Sequence, residues 1–149
     1  NQPDLEAYTY LIERQLKPEA RKDIPRLLKD LEVKPTSMID ISDGLSSEAL
    51  HISKSSKVGV CLHEDKIPVD HTVMNMASEF NLNPIAFALS GGEDYELLFT
   101  INQKDYEKLK KDPDFTIVGY VTDISEGNNF IASDGSSHKL TSQGWDSTI

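Results

Sequence analysis

The spacing of apolar residues changes period several times along the chain, and each change marks an element. Residues 4–16 (DLEAYTYLIERQL) place Leu5, Tyr8, Leu11, Ile12 and Leu16 near helical spacing, and Pro18 ends the run. Residues 24–31 repeat the pattern, with Ile24, Leu27, Leu28 and Leu31 on one face and Pro25 in a first turn that tolerates it. Beyond Pro35, residues 36–41 (TSMIDI) predict a short strand that feeds a polar turn at Ser42, Asp43 and Gly44. Helical spacing returns over 45–55 through Leu45, Ala49, Leu50 and Ile52.

The second half alternates in the same way. Residues 58–63 (VGVCLH) are strand-like, 67–69 suggest a further short strand, and 71–80 an amphipathic helix with Val73, Met74, Ala77 and Phe80 inward. A short apolar segment after Pro84 leads into SGGEDY at 90–95, and residues 96–101 (ELLFTI) have the composition of a buried strand. A charged helix over 105–111, a strand over 115–121 and a hairpin of 129–133 with 136–140 about Asp134 and Gly135 complete the pattern. A closing hairpin on alternating strands and helices requires some antiparallel pairing. The expected fold class is therefore α+β: a mixed β-sheet with packed helices in a single domain over 1–149, lead-in helices at about 4–31 and a core at about 36–149.

Composition narrows the function. The chain has 149 residues, enough for one domain. Its 25 acidic and 15 basic residues give a net charge of −10, which repels phosphate backbones and anionic lipid and makes nucleic acid and membranes unsuitable partners. Cation-bridged anions such as a magnesium nucleotide remain compatible with that surplus. With Cys61 as the single cysteine no intramolecular disulfide can form, and no segment reaches the length of an apolar membrane span, so a cytoplasmic location is expected. A start on helix-like sequence without methionine suggests a piece of a longer chain.

Two constellations carry candidate chemistry. Asp40, Ser42, Asp43 and Gly44 gather two carboxylates and a hydroxyl where a strand gives way to a helix, a donor set suited to Mg²⁺ with phosphate nearby. The same residues also read as an ordinary helix cap and turn, with Asp40 a solvated carboxylate. Gly91, Gly92, Glu93, Asp94 and Tyr95 form a second acidic, glycine-containing turn that suits close approach to a ligand or plain solvation. Neither phosphate-loop pattern, G-x-x-x-x-G-K-[ST] nor G-x-G-x-x-G, occurs. Trp145 is suited to stacking on a flat heterocycle or to pinning the C-terminal tail. His51, His63, His71 and His138 lack metal-ligand spacing, and Cys61 sits in an apolar strand as a core thiol.

Together, SMIDISDGL at 37–45, ALSGGEDYELLFT at 88–100 and IVGYVTD at 117–123 resemble the C-terminal half of the thiamine-monophosphate kinase family; QLKPEAR at 15–21 and GWD at 144–146 extend the likeness across almost the whole chain. The family belongs to the aminoimidazole ribonucleotide synthetase-like superfamily. The resemblance implies that Asp40 and Asp43 bind Mg²⁺, Ser42 contacts ATP, and Glu93 and Trp145 contact thiamine phosphate. It further implies a missing N-terminal half that completes the active site, a homodimer at full length, and an isolated segment that folds without catalysing. The alternatives are another ATP-using member of the same superfamily and a non-catalytic module that binds a metal–nucleotide complex.

Overall fold

The structure, a computed structural model, describes residues 20–91 and 96–145, with Trp145 described by its backbone alone. The helix expected over 4–16 and the residue Glu93 lie outside the described residues. Helix α1 spans Ile24–Asp30 and strand β1 Ser37–Asp40; helix α2, Leu45–Ser56, follows directly and leads into β2, Gly59–His63. Helices α3, His71–Glu79, and α4, Pro84–Ser90, precede β3, Leu97–Thr100. A short helix α5, Tyr106–Leu109, then separates β3 from β4, Gly119–Thr122, β5, Asn128–Ile131, β6, Ser137–Thr141, and β7, Gly144–Trp145.

The expected mixed sheet is present but comes as two sheets. Five strands run in the order β4-β2-β5-β6-β7, with β2 parallel to β5 and the other pairs antiparallel; β1 and β3 form a separate antiparallel pair. Strand β2 is paired on both edges, between β4 and β5, and is buried over Gly59–Leu62. Helix α2 packs against β1, β6 and α4, and Leu45 and Ala49 enter the main core with Val60, Leu62, Ile67, Leu89, Phe130 and Leu140. A second, smaller core joins Ile24, Leu28, Val33 and Leu109 to Leu97, Phe99, Ile101 and Phe115.

Two expected elements differ and one segment left unassigned takes a definite form, each for a local reason. Residues 67–69 form no strand: Ile67 is buried in the main core, while Pro68 beside it has no N–H to give a ladder. The apolar segment after Pro84 is helical, because the Asn83 side chain accepts from the Ile85 N–H at 3.0 Å and Pro84 holds a first-turn position. The strand expected over 115–121 pairs only from Gly119, since Phe115 turns into the smaller core and meets Phe99 edge-on at 5.9 Å between centroids.

Candidate functional site

Asp40 closes β1, opposite Leu97 in register, and the chain then leaves the sheet. The Ile41 N–H donates to the Glu96 carbonyl at 2.8 Å, so the end of the strand is held. Ser42 and Asp43 follow, and Asp40, Ser42 and Asp43 are all exposed residues. The N-cap of α2 is Gly44, which has no side-chain cap bond. The capping alternative for Ser42 or Asp43 is thus not realised, and their oxygens remain at the surface beside the strand end.

Gly44 has φ 117° and ψ 153°, a region closed to residues with a side chain. Space demands glycine as well. A Cβ there would lie 2.6 Å from the Leu89 carbonyl oxygen and 2.9 Å from Ser90 Cα, because the end of α4 presses on the turn. Helix α4 is closed by the Gly91 N–H donating to Phe87 O at 2.6 Å. The segment 91–96 therefore leaves from beside Gly44 and returns at Glu96, which is bonded to Ile41. Both flanks of the SGGEDY motif rest on the Asp40–Gly44 turn, although the two motifs are about 50 residues apart in sequence. Strand β7, which carries Trp145, pairs with Leu140 and packs against α4.

One residue at this turn carries no signal in the motif reading. Glu48, on the first turns of α2, is only 2% exposed, and its Oε1 accepts from Ser42 N at 3.4 Å, Asp43 N at 3.2 Å and Ser42 Oγ at 3.2 Å. Its Oε2 and the neighbouring Ser46 Oγ are buried without a partner among the described residues. The signal that finds Glu48 is its position: counted from Leu45 it shares the helix face of Ala49 and Ile52, where an apolar residue belongs.

Two surface carboxylates and a hydroxyl on a rigid strand end are hard oxygen donors, and they fit Mg²⁺, which keeps most of its water and takes only one or two protein carboxylates. Among the described residues no three or more His, Cys, Asp or Glu side chains come together in a group that could hold a metal ion by themselves. A cleft of about 940 Å³ lies elsewhere, lined by Phe99, Tyr106, Phe115 and Tyr120, and includes none of Asp40, Ser42 and Asp43. At its rim Arg21 pairs with Glu96 at 2.9 Å and Asp23 at 3.0 Å. Those bonds raise the guanidinium pKa still further and, through the Arg21 hydrogen bond, hold the Asp23 carboxyl below its usual value. Among the described residues His51 and His71 are exposed and His63 and His138 half-buried, while Cys61 is buried in β2. No described helix is long and apolar enough to cross a membrane.

No family model matches the chain. A thiamine-monophosphate kinase of Buchnera aphidicola subsp. Schizaphis graminum is 39% identical over 130 residues, covering 82% of this chain and 38% of that protein. The thiamine-monophosphate kinase of Pyrococcus horikoshii is 37% identical over 137 residues, covering 91% and 40%. Among solved structures, AaThiL complexed with AMPPCP and TMP superposes with a TM-score of 0.77 at 30% identity, over 99% of this chain and 44% of that one. The hydrogenase maturation protein HypE in complex with ATP shares the fold at a TM-score of 0.63 and 18% identity, over 83% and 40%. The chain has the aminoimidazole ribonucleotide synthetase-like fold. By sequence it belongs with the thiamine-monophosphate kinases, as a homologue of a C-terminal fragment of them. It spans about two fifths of the length of these relatives.

Proposed function

We propose that this chain is the C-terminal part of a kinase that phosphorylates thiamine phosphate to thiamine diphosphate with ATP and Mg²⁺. The observation that carries the reading is the meeting of the two acidic motifs, both flanks of one resting on the turn of the other. Asp40 and Asp43 are the residues to hold Mg²⁺, Ser42 contacts the nucleotide, and Glu93 and Trp145 contact thiamine phosphate. Bound Mg²⁺ neutralises charge on the phosphate oxygens. The chain's own contribution is positional: β1 and the Ile41–Glu96 bond fix the turn, and Glu48 fixes the turn's amides. Phosphoryl transfer asks mainly for alignment and charge stabilisation, and the site accordingly offers carboxylates and hydroxyls on a held backbone.

An N-terminal segment supplies the rest of the active site and the homodimer contacts, in the cytoplasm, and the 149 residues alone do not turn over. The test is Mg²⁺- and ATP-dependent formation of thiamine diphosphate by the full-length protein containing this sequence, alongside its Asp43→Asn variant. Activity in the parent that falls about 100-fold or more in the variant is expected, in line with loss of a charge-stabilising group. A folded, inactive parent rules the reading out.

A further inference from the structure

The Glu48 carboxylate is hard to account for as a structural element. It is 2% exposed, on the core-facing side of α2 between Leu45 and Ala49, and one of its oxygens has no partner among the described residues. Burying a carboxylate with a bare oxygen is costly, and an apolar residue of the same length would fill this place at lower cost. What the carboxylate gains in return is all on one side: two consecutive amides and one hydroxyl, from Ser42 and Asp43. Those are the residues of the acidic turn itself, and no other described hydrogen bond holds their amides.

We propose that Glu48 is a positioning residue for cation binding, one that touches no ligand itself. Gathering the Ser42 and Asp43 N–H groups onto Oε1 fixes the backbone of the turn that carries the exposed Ser42 and Asp43, two and three residues beyond Asp40. With the Ser42 hydroxyl proton also directed at Oε1, the lone pairs of Oγ are left for a cation. The inference rests on the Mg²⁺-holding role given above to Asp40 and Asp43, and it concerns the hydrogen-bond geometry of the acceptor rather than its charge.

That distinction sets the test. Glu48→Gln keeps an acceptor oxygen for the two amides and removes the charge, whereas Glu48→Met keeps length and helix preference and removes the acceptors. Mn²⁺, used as the probe, is titrated into the chain and followed by the loss of free-ion paramagnetic resonance signal, with thermal unfolding in parallel. Glu48→Met is expected to weaken Mn²⁺ binding about tenfold or more, as loss of groups that orient ligands does, while Glu48→Gln stays near the parent. Ser53→Ala, five residues further along α2, removes the hydrogen bonds to Val58 O and Asn128 and is expected to lower stability without changing Mn²⁺ affinity. Parent-like Mn²⁺ binding in Glu48→Met overturns the proposal, as does a loss in Glu48→Gln equal to that in Glu48→Met, or a parent chain that binds no Mn²⁺. A parent that binds Mn²⁺ with this pattern yet makes no thiamine diphosphate at full length overturns the kinase reading alone.

Discussion

Replacing Gly44 with alanine tests whether the two motifs meet as described. The methyl group has two separate objections to answer. At φ 117° and ψ 153° an L-residue is strained by about 1–3 kcal/mol. The added Cβ would sit 2.6 Å from Leu89 O and 2.9 Å from Ser90 Cα, both backbone atoms that cannot swing aside as a side chain does. Overpacking of that kind costs about 1–3 kcal/mol, so the expected loss is about 2–6 kcal/mol against a total stability on the order of 5–15 kcal/mol. Urea unfolding followed by circular dichroism reads it: with a slope of about 2 kcal/mol per M, a loss of about 3 kcal/mol lowers the midpoint by about 1.5 M. Gly135→Ala is the internal control. Gly135 also has a positive φ, 85°, but nothing lies within 4 Å of its would-be Cβ, so it bears the conformational cost alone, about 1–2 kcal/mol. A loss in Gly44→Ala that exceeds that in Gly135→Ala by more than about 1 kcal/mol, the difference in their conformational costs, reads the pressure of α4 on the turn. Equal midpoints for Gly44→Ala and Gly135→Ala would refute the close approach, and with it the argument that 91–96 departs from the acidic turn.

Other expectations follow from single residues. Asp70 caps α3 by accepting from the Thr72 N–H at 2.7 Å, a bond that favours the ionised form and lowers its pKa below 3.8 in the folded state. A lowered folded pKa means stabilisation present above the unfolded value and lost as pH falls below it. Asp70→Ala is therefore expected to cost about 1 kcal/mol at pH 7 and progressively less as pH falls below about 4, checked by denaturant melts across pH 2–7. A pH-independent difference speaks against an ionised cap. Phe130, fully buried in β5, is expected to lose about 3–5 kcal/mol on truncation to alanine, measured by thermal or urea unfolding. A loss under 1 kcal/mol would mean that the main core is not organised around it.

Legibility in the sequence followed the locality of the cause. Strand β1 and helix α2 were readable because their periods are clean and the Ser42–Gly44 break sits between them. The hairpin of β5 and β6 announced itself through Asp134 and Gly135, with Ser136 N–H donating to Asp134 Oδ1 at 2.8 Å. Helix α4 carried an Asn–Pro start signal, yet its apolar run is too short for its period to be told from a strand's. Residues 115–118 could not be read locally, because Phe115 is claimed by a core built from α1 and β3, far away in sequence. The division into two sheets likewise depends on which strand edges find each other. At the candidate site the surface carboxylates were visible as a motif. Glu48 was not, since a glutamate in a helix is ordinarily a solvated residue, and only its phase relative to Leu45 and Ala49 sets it apart.

The anchoring of 91–96 at both flanks has a consequence for how such a protein can change. Ser90 is fixed by α4 against Gly44, and Glu96 is fixed by Ile41 and by its ion pair with Arg21, so the residues between them join two points the scaffold already defines. The closure entropy of such a span rises only slowly with length, by about 0.6 kcal/mol per doubling. A change in the length of that span therefore adds little closure cost of its own. Insertions and deletions between those two anchors are thus a change the scaffold can absorb while the acidic turn and the fold beneath it are inherited unchanged.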